Sequence, residues 1–383
     1  MDPIPYSRQE ISDADIAAVV EVLKAPFLTQ GPAVERFEAD FAALHKGRHA
    51  VAVCNATAAL HLACLALRVG PGDLVWTSPI SFVASANCAL YCGADIGFVD
   101  IDPVTRNMSV PALAARLEEA EKAGRLPKVV VPVDFSGLPC DLEEMRALAD
   151  RYGFKIVSDS SHAVGATYRG ELIGRYADIS VFSFHPVKIV TTGEGGLCLT
   201  DDAALADRLR LLRSHGITRD AAAMQGANEG AWYYEQIDLG FNYRITDIQA
   251  ALGSSQLTDL DDKFRRRDAA ARRYDDLLAT LPVKLPARLN DRQSAHHLYV
   301  VEVENGLSRK AVFDALRADG ILVNVHYIPI HLQPYYRALG FAPGDFPASE
   351  AFYEGAVTLP LFPSLSEAQQ DHVAERLSRA LGS

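Results

Sequence analysis

The chain has 383 residues, of which 49% are hydrophobic, and a formal net charge of −12 at pH 7. A chain of this length and composition can bury a large core, and we expect one large domain and a smaller one. The negative charge argues against nucleic acid or an anionic membrane as the main partner. The apolar runs are too short to cross a bilayer and the first residues lack a signal-peptide pattern, so we expect no membrane association and a cytoplasmic location.

Short β-rich runs alternate with helical stretches through the first half of the chain. In chain order they are HAVAV, NATAALHLACLAL, DLVWT, SFVASANCALY, DIGFVDI, VPALAARLEEAEKA, KVVVPVD and LEEMRALADRY, followed by the β-rich runs KIVSD, DISVFSF and GGLCLTD. This alternation predicts an α/β fold with a mostly parallel sheet that helices cover on both faces. The close spacing of the last three runs indicates that the sheet is mixed.

The pattern changes after about residue 240. Thr246 and Gln249 have the spacing of a capping box, which predicts one long amphipathic helix ending near Leu281. A strand at HLYVVEV, a helix at SRKAVFDALRADG, a strand at ILVNVHY and a closing helix at SEAQQDHVAERLSRA follow. We therefore divide the chain into residues 1–245, an N-terminal segment with the large domain, and residues 246–383, the long helix with a small C-terminal α+β domain.

Ligands in open α/β sheets bind at the carboxyl ends of the strands, so the residues that follow each predicted strand are candidates for function. Asn55, Ala56 and Thr57 follow HAVAV and open a helix whose free N–H groups and positive dipole end suit a phosphate. Asn55 or Thr57 could equally do no more than cap that helix. Asp159 ends the apolar run KIVSD, where a carboxylate is costly to bury without a cation or several donors, although a capping aspartate also fits.

Lys188 follows the run DISVFSF, together with Ser183 and His185. The glycines of TTGEGG come after it, and paired glycines entering a strand indicate a close approach of the backbone to another group. Pyridoxal phosphate (PLP) requires a lysine for a Schiff base, an aspartate for its pyridine nitrogen and a helix N-terminus for its phosphate. A dinucleotide site would need GxGxxG after the first strand, and a Walker lysine would follow its glycines; neither pattern is present.

The cysteines and histidines suggest no other cofactor. The six cysteines form no CxxC pair and the histidines no HExxH pattern. Packing explains the cysteines better than disulfides or zinc, and the sequence predicts no metal site.

Several segments, in order along nearly the whole chain, resemble the DegT/DnrJ/EryC1/StrS family of sugar aminotransferases. They are FLTQGPAVERFE, NATAAL, SPISFVASAN, SDSSHAVG, FSFHPVKIVTTGEGG, LGFNYRITDIQAALGSSQL and VHYIPIH. The resemblance implies the aspartate-aminotransferase fold (fold type I). Within the family, SDSSHA, TSPISFVASAN and the opening from residue 4 to residue 31 look most like the aminotransferases of pseudaminic acid biosynthesis, which act on a UDP-linked 4-keto-6-deoxy-N-acetyl sugar.

The resemblance also implies roles for individual residues. Lys188 would link covalently to the cofactor and act as the catalytic base, and Asp159 would bind the pyridine nitrogen. His162 would bond the phenolic oxygen and Phe82 would stack on the ring. The phosphate would be held by Ala56, Thr57 and Ser183, with the partner subunit's Asn242. The nucleotide-sugar pocket would be lined by Tyr6, Pro26, Phe27, Leu28, Thr29, His185, Asn324, Val325, His326 and Tyr327.

The implied reaction transfers the amino group of L-glutamate to C4 of a nucleotide-linked 4-keto sugar, in a homodimer with active sites at the subunit interface. Two departures from the family pattern leave the sugar open. Phe82 stands where many relatives have Trp or Tyr, and the irregular segment 219–236 is longer than in near relatives. Arg213, Arg219 and Arg244 are candidates for binding the substrate phosphates, although each could equally be a surface ion-pair partner.

Other hypotheses remain beside this one. The acceptor could be another UDP-, dTDP- or GDP-linked 4-keto-6-deoxy sugar. A PLP-dependent sugar dehydratase of the same family would carry histidine in place of Lys188 or a cysteine cluster for iron and sulfur, and both expectations argue against it. A non-enzymatic binding module is disfavoured by the presence of both Lys188 and Asp159. An NAD-dependent oxidoreductase lacks its glycine motif.

Overall fold

The computed structural model describes residues 2–226, 228–304 and 306–382. Its helices are α1 (Asp13–Lys24), α2 (Pro32–Leu44), α3 (Ala56–Ala66), α4 (Ala84–Tyr91), α5 (Val110–Lys122), α6 (Leu142–Tyr152), α7 (Ala203–Arg213), α8 (Asp247–Thr258), α9 (Leu260–Leu278), α10 (Arg309–Ala318), α11 (Pro334–Ala338), α12 (Pro347–Gly355) and α13 (Glu367–Ala380). Its strands are β1 (Ile4–Pro5), β2 (His49–Val53), β3 (Leu74–Thr77), β4 (Asp95–Phe98), β5 (Val129–Val131), β6 (Lys155–Asp159), β7 (Thr167–Tyr168), β8 (Glu171–Leu172), β9 (Ile179–Ser183), β10 (Gly196–Thr200), β11 (Ile217–Thr218), β12 (Glu235–Gln236), β13 (Val283–Lys284), β14 (Arg292–Gln293), β15 (Tyr299–Val303), β16 (Ile321–Leu322) and β17 (Ala356–Leu359).

The central sheet has seven strands in the order β2-β10-β9-β6-β5-β3-β4. β10 pairs antiparallel with both β2 and β9, while the remaining neighbours pair in parallel. Most residues of these strands are buried, as expected for a parallel sheet that helices cover on both faces. The predicted mostly parallel mixed sheet is therefore confirmed, and its antiparallel member is the predicted run GGLCLTD.

Alternate side chains of the strands pack against different helix layers. Phe182 and Phe184, at the end of β9, form edge contacts with Phe37 and Phe41 of α2 on one face. Val181 faces the other side and joins a second core with α3 and α7. α8 lies close to α2 because it carries Gly253, where a Cβ atom would come within 2.6 Å of the Phe37 ring. Because successive side chains of a strand point to opposite faces of the sheet, one helix layer packs on each face.

The prediction of one long helix after residue 246 was wrong in one respect, because this segment forms two helices. Thr246 caps α8 with the predicted capping box, but Asp259 leaves the helical conformation with φ −104° and ψ 12°. α9 begins at the next residue with acidic side chains in its first turn, which the positive end of the helix dipole favours. The break lets α8 pack on α1 and α2 while α9 contacts α13.

The predicted strand ILVNVHY was also too long. Only β16 is a strand there, and it pairs in parallel with β1 at the N-terminus. Asn324 then forms an isolated bridge with Thr358, after which the chain turns toward the large domain. The short strands β1, β7, β8, β11, β12, β13 and β14 and the strand β17 were not predicted; most are two residues long, too short for any periodicity.

The small C-terminal α+β unit is confirmed. β13, β15 and β17 form an antiparallel sheet, and α9, α10 and α13 pack around it with Tyr274, Tyr299 and Val373 in a separate core. Where the two units join, Leu260 packs in the core of the large sheet, and Ala271, Tyr274 and Leu278 of α9 pack in the core of the small unit. The exact division at residues 245 and 246 stays a prediction.

Candidate active site

The carboxyl ends of β2, β6 and β9 open into a cavity of about 620 Å³ that the small unit closes from the other side. Most of the residues predicted for the cofactor line this cavity. They are Ala56, Thr57, Phe82, Asp159, His162, Ser183 and Lys188. Six of the residues predicted for the substrate line it as well, namely Tyr6, His185, Asn324, Val325, His326 and Tyr327. The structure therefore brings together side chains that lie far apart in the sequence.

The N-terminus of α3 points its free N–H groups at the cavity. Asn55 is the helix cap, since its Oδ1 atom accepts a hydrogen bond of 2.8 Å from the N–H of Ala58. Within the described chain, the N–H groups of Ala56 and Thr57 have no intramolecular acceptor. Capping and anion binding are thus compatible here, and the helix end can hold a phosphate.

The sequence predicted that the backbone at the glycine pair comes close to another group. In the structure that group is the backbone of the chain itself. Gly196 pairs with both Val53 and Ser183 at the ends of β2 and β9. A Cβ atom on Gly196 would lie 2.4–2.6 Å from backbone atoms of Asn55 and Ala56. Glycine at this position therefore lets β10 enter the sheet directly beneath the first turn of α3.

Asp159 is buried at the end of β6, with its carboxylate held by donors from two elements. Oδ2 accepts a hydrogen bond of 2.6 Å from Ser85 of α4, and Oδ1 accepts one of 3.2 Å from the N–H of Ser161. Ser81 contacts Ser85 at 2.6 Å and also lines the cavity. Sequence reasoning missed both serines, although the strand-end rule applied to DLVWT would have found Ser81.

Lys188 lies in the turn after β9, where its N–H donates to the carbonyl of His185 at 2.9 Å. Its Nζ atom faces the cavity at 3.5 Å from Nε2 of His297. Burial lowers the pKa of Lys188 to about 8, and the negative charge of Asp159 opposes part of that shift. With this pKa, roughly a tenth of the amine is neutral at pH 7.

His162 contacts groups from two directions. Its Nδ1 atom accepts a hydrogen bond of 3.3 Å from the N–H of Ser136, so the neutral ring carries its proton on Nε2. Nε2 lies 3.2 Å from the hydroxyl of Tyr327. Burial holds the pKa of His162 well below its usual value, and the positive charge of Lys188 lowers it further. His162 therefore presents a neutral Nε2–H donor to the cavity, and the hydroxyl of Tyr327 lies within hydrogen-bond distance of the same nitrogen.

The small unit contributes the opposite wall. β1 pairs with β16 and brings the Tyr6 ring to 5.2 Å from the ring of His326. Nδ1 of His326 lies 2.8 Å from the hydroxyl of Thr358, and Nε2 lies 3.4 Å from Nδ2 of Asn324. Burial lowers the pKa of His326 to about 3, so the ring is neutral. This wall presents aromatic and neutral polar groups.

Five predicted site residues do not line the cavity of the single chain. Pro26, Phe27, Leu28 and Thr29 are exposed, with Thr29 in a bridge to Thr246, and Asn242 is exposed and bridges Ser214. The candidate arginines also lie elsewhere. Arg213 is bound to Glu38 and to the carbonyl of Ala52, and Arg219 lies over the ring of Tyr234. The predicted roles of all these residues stay predictions.

Residues 9–378 match the model of the DegT/DnrJ/EryC1/StrS aminotransferase family. The chain belongs to this family. It is 40% identical to the spore coat polysaccharide biosynthesis protein SpsC of Bacillus subtilis over 378 residues, which are 97% of this chain and 95% of SpsC.

Two solved structures are close to that of this aminotransferase. The putative sugar aminotransferase Spr1654 of Streptococcus pneumoniae in its PMP form has a TM-score of 0.92 and 32% identity, with 99% of each chain covered. Helicobacter pylori PseC, an aminotransferase involved in the biosynthesis of pseudoaminic acid, has a TM-score of 0.91 and 31% identity over all of both chains. The predicted fold type I is thereby confirmed.

The protein is a sugar aminotransferase that uses pyridoxal phosphate. Its own residues fit that cofactor, because a cluster of unpaired N–H groups, a buried carboxylate and a lysine with a lowered pKa face one cavity. In the part of the chain that the structure describes, no group of three or more His, Cys, Asp or Glu side chains could hold a metal ion. Across residues 2–226, 228–304 and 306–382, no helix has the length and hydropathy needed to span a bilayer.

Proposed function

We propose that the enzyme moves the amino group of L-glutamate to the C4 keto group of a nucleotide-linked 4-keto-6-deoxy sugar. The observation that carries the proposal is the convergence of Lys188, Asp159 and the N-terminus of α3 on one cavity. That cavity is large enough for more than the cofactor, and its second wall comes from the small unit. The proposal includes the residue roles that the family resemblance implies.

Each of these groups has a definite task. Bound pyridoxal phosphate supplies the electron sink that stabilises the charge left when the α-proton of glutamate departs. The ε-amine of Lys188 accepts that proton and then donates it to the carbon on the other side of the transferred nitrogen. Because its pKa is about 8, part of the amine is neutral and can act as a base. The carboxylate of Asp159 favours the protonated pyridine nitrogen by charge. The N–H groups of Ala56 and Thr57 bind the phosphate.

The finer identity of the acceptor is supported by the relatives. PseC is involved in the biosynthesis of pseudoaminic acid, and SpsC is a spore coat polysaccharide biosynthesis protein. The opening segment and SDSSHA resemble the pseudaminic acid enzymes. We therefore take UDP-2-acetamido-2,6-dideoxy-β-L-arabino-hex-4-ulose as the first acceptor to test, with other UDP-, dTDP- and GDP-linked 4-keto-6-deoxy sugars as alternatives.

The proposal includes a homodimer. Asn242 and the segment 26–29 are exposed and lie outside the cavity of their own chain, which is what a role in a second subunit's site requires. Phe27 and Leu28 expose 56% and 47% of their surface, and adjacent large apolar side chains with this exposure favour an interface. The cytoplasmic location stays a prediction.

The test is turnover by purified protein with L-glutamate and the panel of keto sugars. We expect 2-oxoglutarate and a sugar aminated at C4, with no turnover in Lys188→Ala. Turnover with a different sugar would replace the acceptor but keep the reaction class. Borohydride trapping and peptide mapping should label Lys188, and a label on another amine, or none, would overturn the proposed chemistry.

A further inference from the structure

His297 forms part of the cavity wall, although no sequence pattern assigns it a function. It lies two residues before β15, so it belongs to the small unit, whereas Lys188 follows β9 of the central sheet. Nε2 of His297 and Nζ of Lys188 are 3.5 Å apart. Among the described residues, Lys188 forms no ion pair, and His297 is the side chain with which its Nζ atom makes a hydrogen-bond contact.

The backbone and the surrounding rings hold His297 in place. Its N–H donates to the carbonyl of Ser136 at 2.9 Å, and its carbonyl accepts from Nη1 of Arg267 at 3.5 Å. The ring lies 4.5 Å from the ring of His162, and the residue exposes only 2% of its surface. Nδ1 is buried without a hydrogen-bond partner in the described chain. Among the described residues, the imidazole ring therefore makes no hydrogen bond that would explain its position, and its close polar contact is Lys188.

The charge state of the ring suits that contact. Burial holds the pKa of His297 well below its usual value, and the positive charge of Lys188 lowers it further. The ionisable groups facing the pair are Asp159, His162, His326 and Arg267, of which only Asp159 is negative. A neutral imidazole can accept a hydrogen bond from the ammonium form and yet does not trap the proton there as a carboxylate would.

We propose that His297 is a positioning residue that holds the ε-amino group of Lys188 through Nε2 and aims it into the cavity. The consequence of this contact for catalysis rests on the proposed function. The contact joins two side chains of this chain, so it can be tested without turnover.

The test measures the proton affinity of Lys188 directly. Cofactor-free protein is labelled with acetic anhydride at a series of pH values, and peptide mass mapping gives the rate at Lys188. The wild-type rate should have its midpoint near pH 8. His297→Leu removes the acceptor of the ammonium, so the midpoint should fall by about one pH unit, a tenfold change in proton affinity. His297→Asp places a carboxylate there and should raise the midpoint instead.

His296→Leu is the matched control. His296 is the preceding residue and also buried, but its Nε2 faces Asp268 at 3.3 Å. That variant should lose stability and leave the midpoint of Lys188 unchanged. An unchanged midpoint in His297→Leu, or the same shift in His296→Leu, would overturn the proposal. If His297→Leu does not fold, His297→Phe replaces it, because this ring also offers no acceptor to the ammonium and the same fall in the midpoint is expected.

The two proposals can fail separately. A shifted midpoint in a protein that never aminates a sugar would refute the proposed function and leave the positioning role intact. In active protein, His297→Leu should lower kcat more than it changes KM for glutamate, because the contact that it removes is made to the base.

Discussion

Ser85 donates a hydrogen bond of 2.6 Å to Oδ2 of Asp159, although the two residues are 74 positions apart. Ser85 is the second residue of α4, and Asp159 ends β6, so α4 reaches the carboxylate from the connection that follows β3. The serine and the N–H of Ser161 occupy one lone-pair direction on each oxygen. These two hydrogen bonds orient the carboxylate.

Ser85→Ala should weaken the site through Asp159. A hydrogen bond to a charged group contributes about 1.5–3 kcal/mol, so we expect the affinity for pyridoxal phosphate and kcat/KM to fall by roughly 10- to 100-fold. Spectroscopic titration with the cofactor and steady-state kinetics measure both quantities. Ser78→Ala is the control, because Ser78 is equally buried and its hydroxyl has no partner in the described chain. Equal losses in both variants would contradict the prediction.

Lys188→Met should stabilise the cofactor-free protein at pH 7. Burial lowers the pKa of the folded-state amine to about 8 from its ordinary 10.5, so below pH 8 the folded protein carries a buried charge that the unfolded chain solvates. The gain in the free energy of unfolding is at most about 3 kcal/mol.

The stability gained by Lys188→Met should depend on pH. Between pH 8 and pH 10.5 the unfolded chain binds more protons, so wild-type stability rises with pH and the advantage of the variant disappears. Denaturant unfolding at several pH values measures the difference. Lys310→Met, at an exposed lysine, should show no such pH-dependent gain, and a constant gain for Lys188→Met would show that the amine is not desolvated.

Gly196→Ala should damage the phosphate site through the backbone. The added methyl group would lie 2.4–2.6 Å from atoms of Asn55 and Ala56, which must then move away from β10. Overpacking of this kind costs about 1–3 kcal/mol, and the first turn of α3 is displaced with it. Thermal unfolding and cofactor titration should both register the change. Gly70→Ala, where a Cβ atom meets nothing within 4 Å, should leave both measurements unchanged.

Asn242→Ala and Lys188→Ala subunits should complement each other if the active sites lie at a dimer interface. Each homodimer should be nearly inactive. A randomly mixed population should recover about a quarter of the wild-type activity, because half of the dimers are hybrids and each hybrid has one intact site. Activity after unfolding and refolding the mixture measures this. No recovery in a mixture that forms hybrid dimers would place Asn242 outside the partner's site.

Local patterns predicted most of the large domain. The apolar runs became β2, β3, β4, β5, β6, β9 and β10, and the stretches between them became helices with bounds close to those expected. The break at Asp259 and the shortness of β16 escaped prediction, because each depends on which neighbour the segment packs against rather than on its own periodicity.

The rule that ligands bind at the carboxyl ends of strands identified the reactive side chains of the site. It did not identify the side chains that hold them in place. Asp159 ends a strand, and Lys188 and the start of α3 follow strands, so the sequence pointed to them. Ser85 lies inside a helix and His297 precedes its strand, and nothing in their local sequence marks them as neighbours of Asp159 and Lys188. The resemblance to the family added Tyr6 and His326, which no local pattern indicates.

Composition, alternation of elements and the order of motifs were enough to determine the fold class, the family and the cofactor chemistry, since these depend on residue types at spacings that the chain carries with it. Only the tertiary structure decided how the amine and the carboxylate are held. Hydrogen bonds such as those from Ser85 to Asp159 and between His297 and Lys188 join distant positions, and desolvation lowers the pKa of Lys188 only when the two units enclose it. Such long-range interactions depend on the assembled geometry and leave no local signature.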